Sequence, residues 1–433
     1  MDRHRATSRA QASARETTAP DGVAGRDRVL DAARAFALLV VVVAHSLAWD
    51  LSTTTPASVL DLHPELVWVT WTLQILPLFF AAGAVTNRGS WERNPADYLR
   101  RRLLRLGAPA LVYSAFWTAP LLPAALVVPG ADLVGRFLSQ LLWFLGVYAA
   151  LTAAVPWTVR WMARPVLTLA LWLGAIALVD ALRWNVHPTI GQLNILLVWG
   201  FHHQVGFHLP ALRRARAARL VAGAAAAIGT AVALALVGPY STSLLSRAGD
   251  PEPSNGSPPT LVVALYGLGL VLVLAALWPA LTRLLAGERV YRVVAGFGAR
   301  AVGVYLWHIP LVALVVGVAW LFRFWEPALT PVWWLVHAAG FAVVLAAAWA
   351  LAGVADRGDR AVLAWLARRR SPRVRPTTAL AVALPLVLLS IFGTGFGTWW
   401  GTGLLGAPSS SAVNLVLLAA VLWALRGGDD PAR

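Results

Sequence analysis

Long apolar segments recur along almost the whole chain, and they restrict the possible folds more than any other feature. Each covers about 15 to 25 residues, enough for a helix to cross a hydrocarbon core of about 30 Å. Candidate spans lie at residues 29–49, 65–86, 106–128, 137–159, 165–182, 190–207, 220–238, 260–282, 301–321, 332–354, 378–395 and 412–425, the last two being short. We therefore predict an all-α, polytopic membrane protein with about ten to twelve transmembrane helices.

The composition excludes a soluble globular protein. Hydrophobic residues make up 58% of the 433 positions, charged residues only 13%, and the mean hydropathy is +0.66. Soluble domains carry about a quarter charged residues. Cysteine is absent, which excludes disulfides, thiolate metal sites and a cysteine nucleophile.

The arginines are distributed as membrane topology requires. The net charge of +16 would suit nucleic acid, but the basic residues concentrate in every second loop. Loops after even-numbered spans are rich in arginine, whereas those after odd-numbered spans carry only Arg136, Arg183, Arg247 and Arg323. Because positive loops stay on the cytoplasmic side, we predict a protein of the cytoplasmic membrane with both termini inside and no nucleic-acid partner.

The same segments divide the chain into four regions. Residues 1–27 are expected to form a disordered cytoplasmic segment, and residues 28–355 a membrane domain of about ten helices. Residues 356–376 are predicted to be an Arg-rich cytoplasmic linker, and residues 377–433 a helical pair with a short tail. The first span is expected to remain a membrane helix, because it is longer than the core of a cleaved signal and contains an arginine.

The first span carries three polar residues that are costly at membrane depth: Asp31, Arg34 and His45. Charged side chains inside a membrane persist mainly where they face a protein interior. Arg34 and His45 are eleven residues apart, so on a helix they differ by roughly 20° in direction and about 16 Å in depth. Asp31, at i−3 from Arg34, can pair with it. One stripe thus holds a cation, its counter-ion and a titratable imidazole.

A second group of polar residues is a weaker candidate. His202, His203 and His208 fall near the cytoplasmic end of their predicted span and are expected to lie at the membrane interface. Three histidines suggest a metal site, but no accompanying carboxylate pattern supports one. No metal is expected.

Four motifs, in order along the chain, resemble one family. The segment Arg28–Ala37 followed by His45 resembles the Leu-Asp-x-x-Arg start and Arg-x10-His motif of the membrane acyltransferase-3 family. Leu76–Gly83 resembles its second-helix Pro-x-Phe-Phe element, and Tyr98–Pro109 its basic stretch before the third helix. Val304–Pro310 is similar to its late Tyr-Leu-x-His-x-Pro helix.

The resemblance implies transfer of an acyl group, expected to be acetyl, from cytoplasmic acyl-CoA. The acceptor would be a hydroxyl or amine of a glycan, a lipid-linked saccharide or a small molecule of the cell envelope. His45 would act as general base or carry the acyl group transiently. Arg34 would hold the donor or stabilise the developing oxyanion, oriented by Asp31.

The resemblance also implies a donor site. Arg102 and Arg105, placed in the loop before the third span, suit the phosphates of CoA because guanidinium groups offer paired donors. His308, at a depth comparable to that of Arg34, and Tyr305, one turn earlier at i−3, are assigned to the same site. The sequence does not indicate the oligomeric state.

Structural and functional alternatives remain at this stage. His45 can be a packing histidine, Arg34 a tether to Asp31, and Arg102 with Arg105 topological charges. A secondary transporter or exporter is the main competing function, because twelve spans with buried polar groups are compatible with one. Transporters commonly show two related halves, and no internal repeat is evident. A non-catalytic scaffold would leave the shared face of Arg34 and His45 unexplained.

Overall fold

The computed structural model describes residues 27–51, 57–128, 131–245, 255–323, 326–367, 381–386 and 411–425. These residues are mainly helical. The predicted N-terminal segment 1–27 lies outside them except for residue 27, as does most of the chain beyond 376. The helices are α1 Arg28–Ser46, α2 Val59–Leu62, α3 Val69–Leu73, α4 Leu76–Arg93, α5 Pro95–Val127, α6 Ala131–Ser139, α7 Leu142–Thr158, α8 Pro165–Asn185, α9 Leu193–Leu212, α10 Ala217–Val237, α11 Leu261–Leu284, α12 Glu288–Ala299, α13 Ala301–Leu321, α14 Pro331–Ala367 and α15 Ser411–Ala424.

The helices confirm the predicted fold class. Eight helical stretches in the described part of the chain are long and apolar enough to cross a membrane, and the protein is an all-α polytopic membrane protein. The third and sixth predicted spans are helical as well, as parts of α5 and α9. In the eleventh, only residues 381–386 are described. The twelfth corresponds to α15, whose 14 residues fall short of the roughly 20 that a spanning helix needs.

The predicted boundary at residue 355 falls inside a helix. α14 continues to Ala367, so the segment predicted as a linker begins as its last turns. An ion pair between Asp356 and Arg360, 3.0 Å apart at i,i+4, supports the helix there. Val362 and Leu363 of the same turns pack against the core.

Helix α1 carries the polar stripe, and it is fixed at both ends. At its start, the Asp27 carboxylate accepts hydrogen bonds from the backbone of Val29 and Leu30, an N-cap that satisfies two otherwise unpaired donors. Beyond its end, strand β1 (Trp49–Asp50) pairs antiparallel with β2 (Ala57–Ser58).

The two strands tie the end of α1 to the loop between α13 and α14. The Asp50 carboxylate accepts a hydrogen bond of 3.0 Å from the backbone N–H of Ala328. His337 of α14 lies with its Nε2 2.8 Å from the Trp49 carbonyl. These contacts fix the C-terminal turn of α1 beside α13 and α14.

Small residues let the helices approach closely. α1 packs against α4, α12, α13 and α14, and its buried face includes Ala33 and Ala37. Where α9 crosses α4, a Cβ built at Gly206 would lie 2.6 Å from the Cα of Ala81. Small residues at such crossings are typical of membrane helices. Any larger residue at position 206 would push the two helices apart.

Candidate active site

Arg34 is anchored to the neighbouring helix α4. Its Nη2 donates a 2.6 Å hydrogen bond to the Ala82 carbonyl and a further bond to the Thr86 hydroxyl. Its Nη1 lies 3.7 Å from Asp31 Oδ1, and Asp31 Oδ2 accepts a 3.0 Å bond from the Tyr291 hydroxyl of α12. Asp31 therefore lies between α12 and the guanidinium, and the guanidinium is held at α4.

Arg102 reaches the same turn of α4. Its Nη2 donates to the Thr86 carbonyl over 2.9 Å, so two guanidinium groups converge on Thr86 and repel each other electrostatically. Arg102 forms no ion pair with any residue that the structure describes. The nearby carboxylates are Asp31 and Asp27, and Asp27 pairs with Arg213 at 2.7 Å; the two arginines thus give this end of the stripe a positive charge suited to an anion.

The placement of Arg102 and Arg105 in a loop was wrong. α5 begins at Pro95, so both lie inside a helix, about a turn apart. Arg105 is exposed, and the described residues give it no hydrogen bond or ion pair. Only Arg102 lies beside Arg34. The structure does not bring Arg102 and Arg105 together as one site.

At the other end of the stripe, His45 contacts a histidine from α13. His45 Nδ1 and His308 Nε2 are 3.1 Å apart, and the ring centroids are 5.2 Å apart. His308 is fully buried, at 0% exposure, whereas His45 is half-buried. A histidine from the first span and one from the ninth therefore meet within the bundle.

Backbone carbonyls define which nitrogens of this pair carry protons. His308 Nδ1 lies 2.8 Å from the Tyr305 carbonyl and 3.2 Å from the Val304 carbonyl, both of which only accept. Nδ1 of His308 must therefore hold the proton, and its Nε2 accepts. The partner atom, His45 Nδ1, is then the donor. In neutral His45 this leaves Nε2 with a lone pair, the form that a general base requires.

This geometry differs from the expected positions of the α13 residues. His308 was expected at the depth of Arg34, but it contacts His45 instead. The axial position of α13 relative to α1 therefore differs from the predicted one. The Tyr305 hydroxyl donates a 2.9 Å hydrogen bond to the Leu141 carbonyl. Tyr305 is thereby fixed to the N-cap residue of α7 and presents its ring, not its hydroxyl, to the stripe.

An apolar cavity of about 50 Å³ lies between the two ends of the stripe. Its wall on α1 is formed by residues one and two turns after Arg34, on the helical face that carries Arg34 and His45. Residues from α4, α7 and α13 complete the cavity, which is lined by Ala37, Leu38, Val41, Phe79, Phe144 and Tyr305, among others. The space between Arg34 and His45 is thus neither filled nor polar.

A second, smaller cavity lies beyond the histidine pair. It measures about 30 Å³, and Ser46, Leu51, Val312 and His337 are among its lining residues. The Ser46 hydroxyl is buried without a hydrogen-bond partner. His45 and His308 therefore lie between two cavities, one toward Arg34 and one toward the β1–β2 pair.

Two residues of the site escaped the sequence analysis. Thr86 joins Arg34 and Arg102, but a threonine near the end of an apolar segment carries no signal of that role. Tyr148 of α7 lies over Gly83, where an added Cβ would be 2.7 Å from the Tyr148 hydroxyl, and it interacts electrostatically with Arg34. The glycine that ends the Leu76–Gly83 motif was the available clue, because glycine admits such a close approach.

Two of the three histidines of α9 are buried inside the helix bundle, and His208 is partly exposed. His202 and His203 are 0% and 2% exposed, because α9 is packed between α4 and α11. The described residues include no group of three or more His, Cys, Asp or Glu arranged to hold a metal ion. His203 Nε2 instead lies 3.3 Å from the Asn87 amide nitrogen.

Comparison with known proteins gives one finding. Residues 27–353 match the model of the family described as an acyltransferase domain, Acyl_transf_3. The match starts at the N-cap of α1 and ends within α14, so it includes every residue of the stripe and of the histidine pair. No curated protein and no solved structure matches the chain.

Proposed function

Because the chain belongs to the acyltransferase-3 family, we propose that this membrane acyltransferase moves an acyl group from cytoplasmic acyl-CoA to a hydroxyl or amine acceptor. The acyl group proposed is acetyl, and the acceptor a glycan, a lipid-linked saccharide or a small molecule of the cell envelope. The arginine distribution supports a cytoplasmic membrane location with both termini inside. In that orientation the Arg34 end of the stripe faces the cytoplasm, and His45 lies toward the opposite side.

The contact between His45 and His308 is the observation that carries this proposal. It supplies a base with a defined free nitrogen, oriented by a third group, which is the arrangement that activates a nucleophile. For a hydroxyl acceptor, His45 Nε2 takes its proton as the oxygen attacks the thioester carbonyl. The new C–O bond forms, the C–S bond breaks, and the proton passes from Nε2 to the leaving thiolate, giving an ester and free CoA.

Depth within the membrane separates the two roles considered for Arg34. Arg34 lies about 16 Å from His45 along the helix axis. Its side chain is therefore too far away to reach a carbonyl that is attacked at His45. Donor binding is therefore the role that we assign to it. Arg34 and Arg102 together would bind phosphate oxygens of CoA, while the flexible pantetheine arm, passing outside the apolar cavity, spans the distance to His45 and brings the thioester there.

The test of this function uses acetyl-CoA labelled in the acetyl group. Membranes of the native cells should transfer label to extracytoplasmic glycan or to a small molecule, and membranes lacking this protein should not. Label that stays in acetyl-CoA in both preparations would contradict the proposed donor. Accumulation of an unmodified solute across the membrane would favour a transporter.

Single substitutions should separate the two arginines of α5. Arg102→Gln should raise the donor KM by about tenfold, because a hydrogen bond to a charged group contributes about 1.5–3 kcal/mol. Arg105→Gln is the matched control, three residues along the same helix and exposed; its effect should stay below about 1 kcal/mol, a factor of about five. The measurement is initial rate against acyl-CoA concentration.

Ionic strength gives an independent check on the same pair. Donor binding by the wild type and by Arg105→Gln should weaken with added salt more than binding by Arg102→Gln, which has lost its phosphate contact. Equal donor KM values for the two variants would return Arg102 to a purely topological role.

A further inference from the structure

We infer that the apolar cavity between Arg34 and His45 binds the acyl chain of the donor and limits it to short, uncharged chains of about two to four carbons. This inference rests on the proposed function, because it assumes that a thioester reaches His45. It adds a substrate class that the family membership does not supply.

The position of the cavity supports this assignment. Ala37, Leu38 and Val41 follow Arg34 by three, four and seven residues, so they occupy the face of α1 that carries Arg34 and His45. Val41 lies one turn before His45. With the thioester carbonyl at His45, an acyl chain that turns back along α1 enters this space, while the pantetheine arm passes outside it.

The lining determines the chemistry of the occupant. The ten residues around the cavity are all apolar or aromatic, and the one with a hydroxyl, Tyr305, donates it to the Leu141 carbonyl. A charged chain, such as the carboxylate of a dicarboxylic acyl group, would be buried there without a partner, at a high desolvation cost. A saturated hydrocarbon chain has no such cost.

The volume determines the length of the chain. A cavity must have a volume of at least about 10–15 Å³ to hold one water molecule. This cavity, at about 50 Å³, therefore accommodates three to five groups of that size. An acetyl group has three non-hydrogen atoms and a butyryl group five. An octanoyl group, with nine, does not fit. The aromatic rings of Phe79 and Phe144, which contact each other edge to face with centroids 5.0 Å apart, help to close the space.

Two matched pairs of variants test the inference. Leu145 lines the cavity, whereas Leu142, on the same helix, does not; they are 2% and 0% exposed. Ala37 lines it, whereas Ala33, one turn earlier on α1, does not. Leu145→Ala enlarges the cavity and Ala37→Val reduces it, while Leu142→Ala and Ala33→Val make the same changes in the core elsewhere.

The assay measures CoA release from acetyl-, butyryl-, hexanoyl-, octanoyl- and succinyl-CoA in membranes of cells in which each variant replaces the wild type. The rate with His45→Ala is subtracted. In the wild type, octanoyl-CoA and succinyl-CoA should react at least about tenfold more slowly than acetyl-CoA, since one methylene in a fitted pocket changes rates by about ten- to two-hundredfold. Leu145→Ala should raise the octanoyl-to-acetyl ratio by about tenfold, and Ala37→Val should lower the butyryl-to-acetyl ratio.

The outcomes are separable. Similar rates with all chain lengths, or equal shifts in a lining variant and its control, would overturn the inference and leave the proposed function standing. Should Leu145→Ala fail to accumulate in the membrane, Ala37→Val and the wild-type chain-length series decide alone. No release from any acyl-CoA would overturn the donor assignment and this inference with it.

Discussion

Replacing His45 with alanine should lower kcat by about 10²- to 10⁴-fold, the usual contribution of a positioned general base. A methyl group cannot accept the proton of the acceptor hydroxyl, so the chemical step is lost. Donor KM should change little, because the proposed binding site for the donor phosphates is at Arg34, about 16 Å away along the helix. The measurement is acyl transfer at saturating donor, normalised to the amount of inserted protein.

His308 provides the companion variants, since it orients His45. His308→Gln keeps an amide oxygen that can accept the hydrogen bond from His45 Nδ1, so it should retain more activity than His308→Ala. Both should change the pH profile of kcat, a readout that a purely structural role would leave unchanged. His187→Ala, at an exposed position between spans, is the control. Near-normal turnover in His45→Ala would make His45 a packing residue and reject the mechanism.

The second large effect is expected for Arg34→Lys, which should lower kcat/KM for the acyl donor by roughly ten- to a hundredfold. An ammonium keeps the charge, but it cannot reproduce the planar fork that reaches Ala82, Thr86 and Asp31 together. Because Arg34 is assigned to donor binding, the loss should appear mainly in the donor KM. Donor titrations at fixed acceptor concentration measure it.

Arg101→Lys is the matched control for this change. Arg101 is exposed and pairs with Asp97 at 3.2 Å, so the substitution preserves its charge at a side chain that is paired elsewhere than at Thr86. A loss in kcat at constant donor KM for Arg34→Lys would place Arg34 in the chemical step. No loss in either parameter would leave Arg34 as a tether between α1 and α4.

The sequence predicted the helices and the stripe because both depend on local periodicity. A spacing of eleven residues puts Arg34 and His45 on one face of any regular helix, whatever surrounds it. The start of α5 was placed too late for the same reason: the apolar run begins at Leu106, but the helix extends through the preceding arginines. Long arginine side chains can reach toward water from such a turn, so charge does not mark its end.

The partners of the stripe could not be predicted, since they come from distant segments. Nothing near residue 308 indicates that its ring meets His45 rather than lying level with Arg34; that depends on the axial offset of α1 and α13. Thr86 is ordinary in sequence, and it matters only because two arginines converge on it. The burial of His202 and His203 likewise depends on which helices enclose α9, a tertiary property.

The two histidines that meet in the bundle are 263 residues apart along the chain, and this separation has a consequence for biosynthesis. At a synthesis rate of about 5–20 residues per second, roughly 13 to 50 seconds pass between translation of the first histidine and of the second. During that interval α1 is already made, but its imidazole has no oriented partner. A truncated or unfinished chain therefore lacks the His45–His308 contact on which the proposed base depends, and acyl transfer is expected only once nearly the whole matched region has been made.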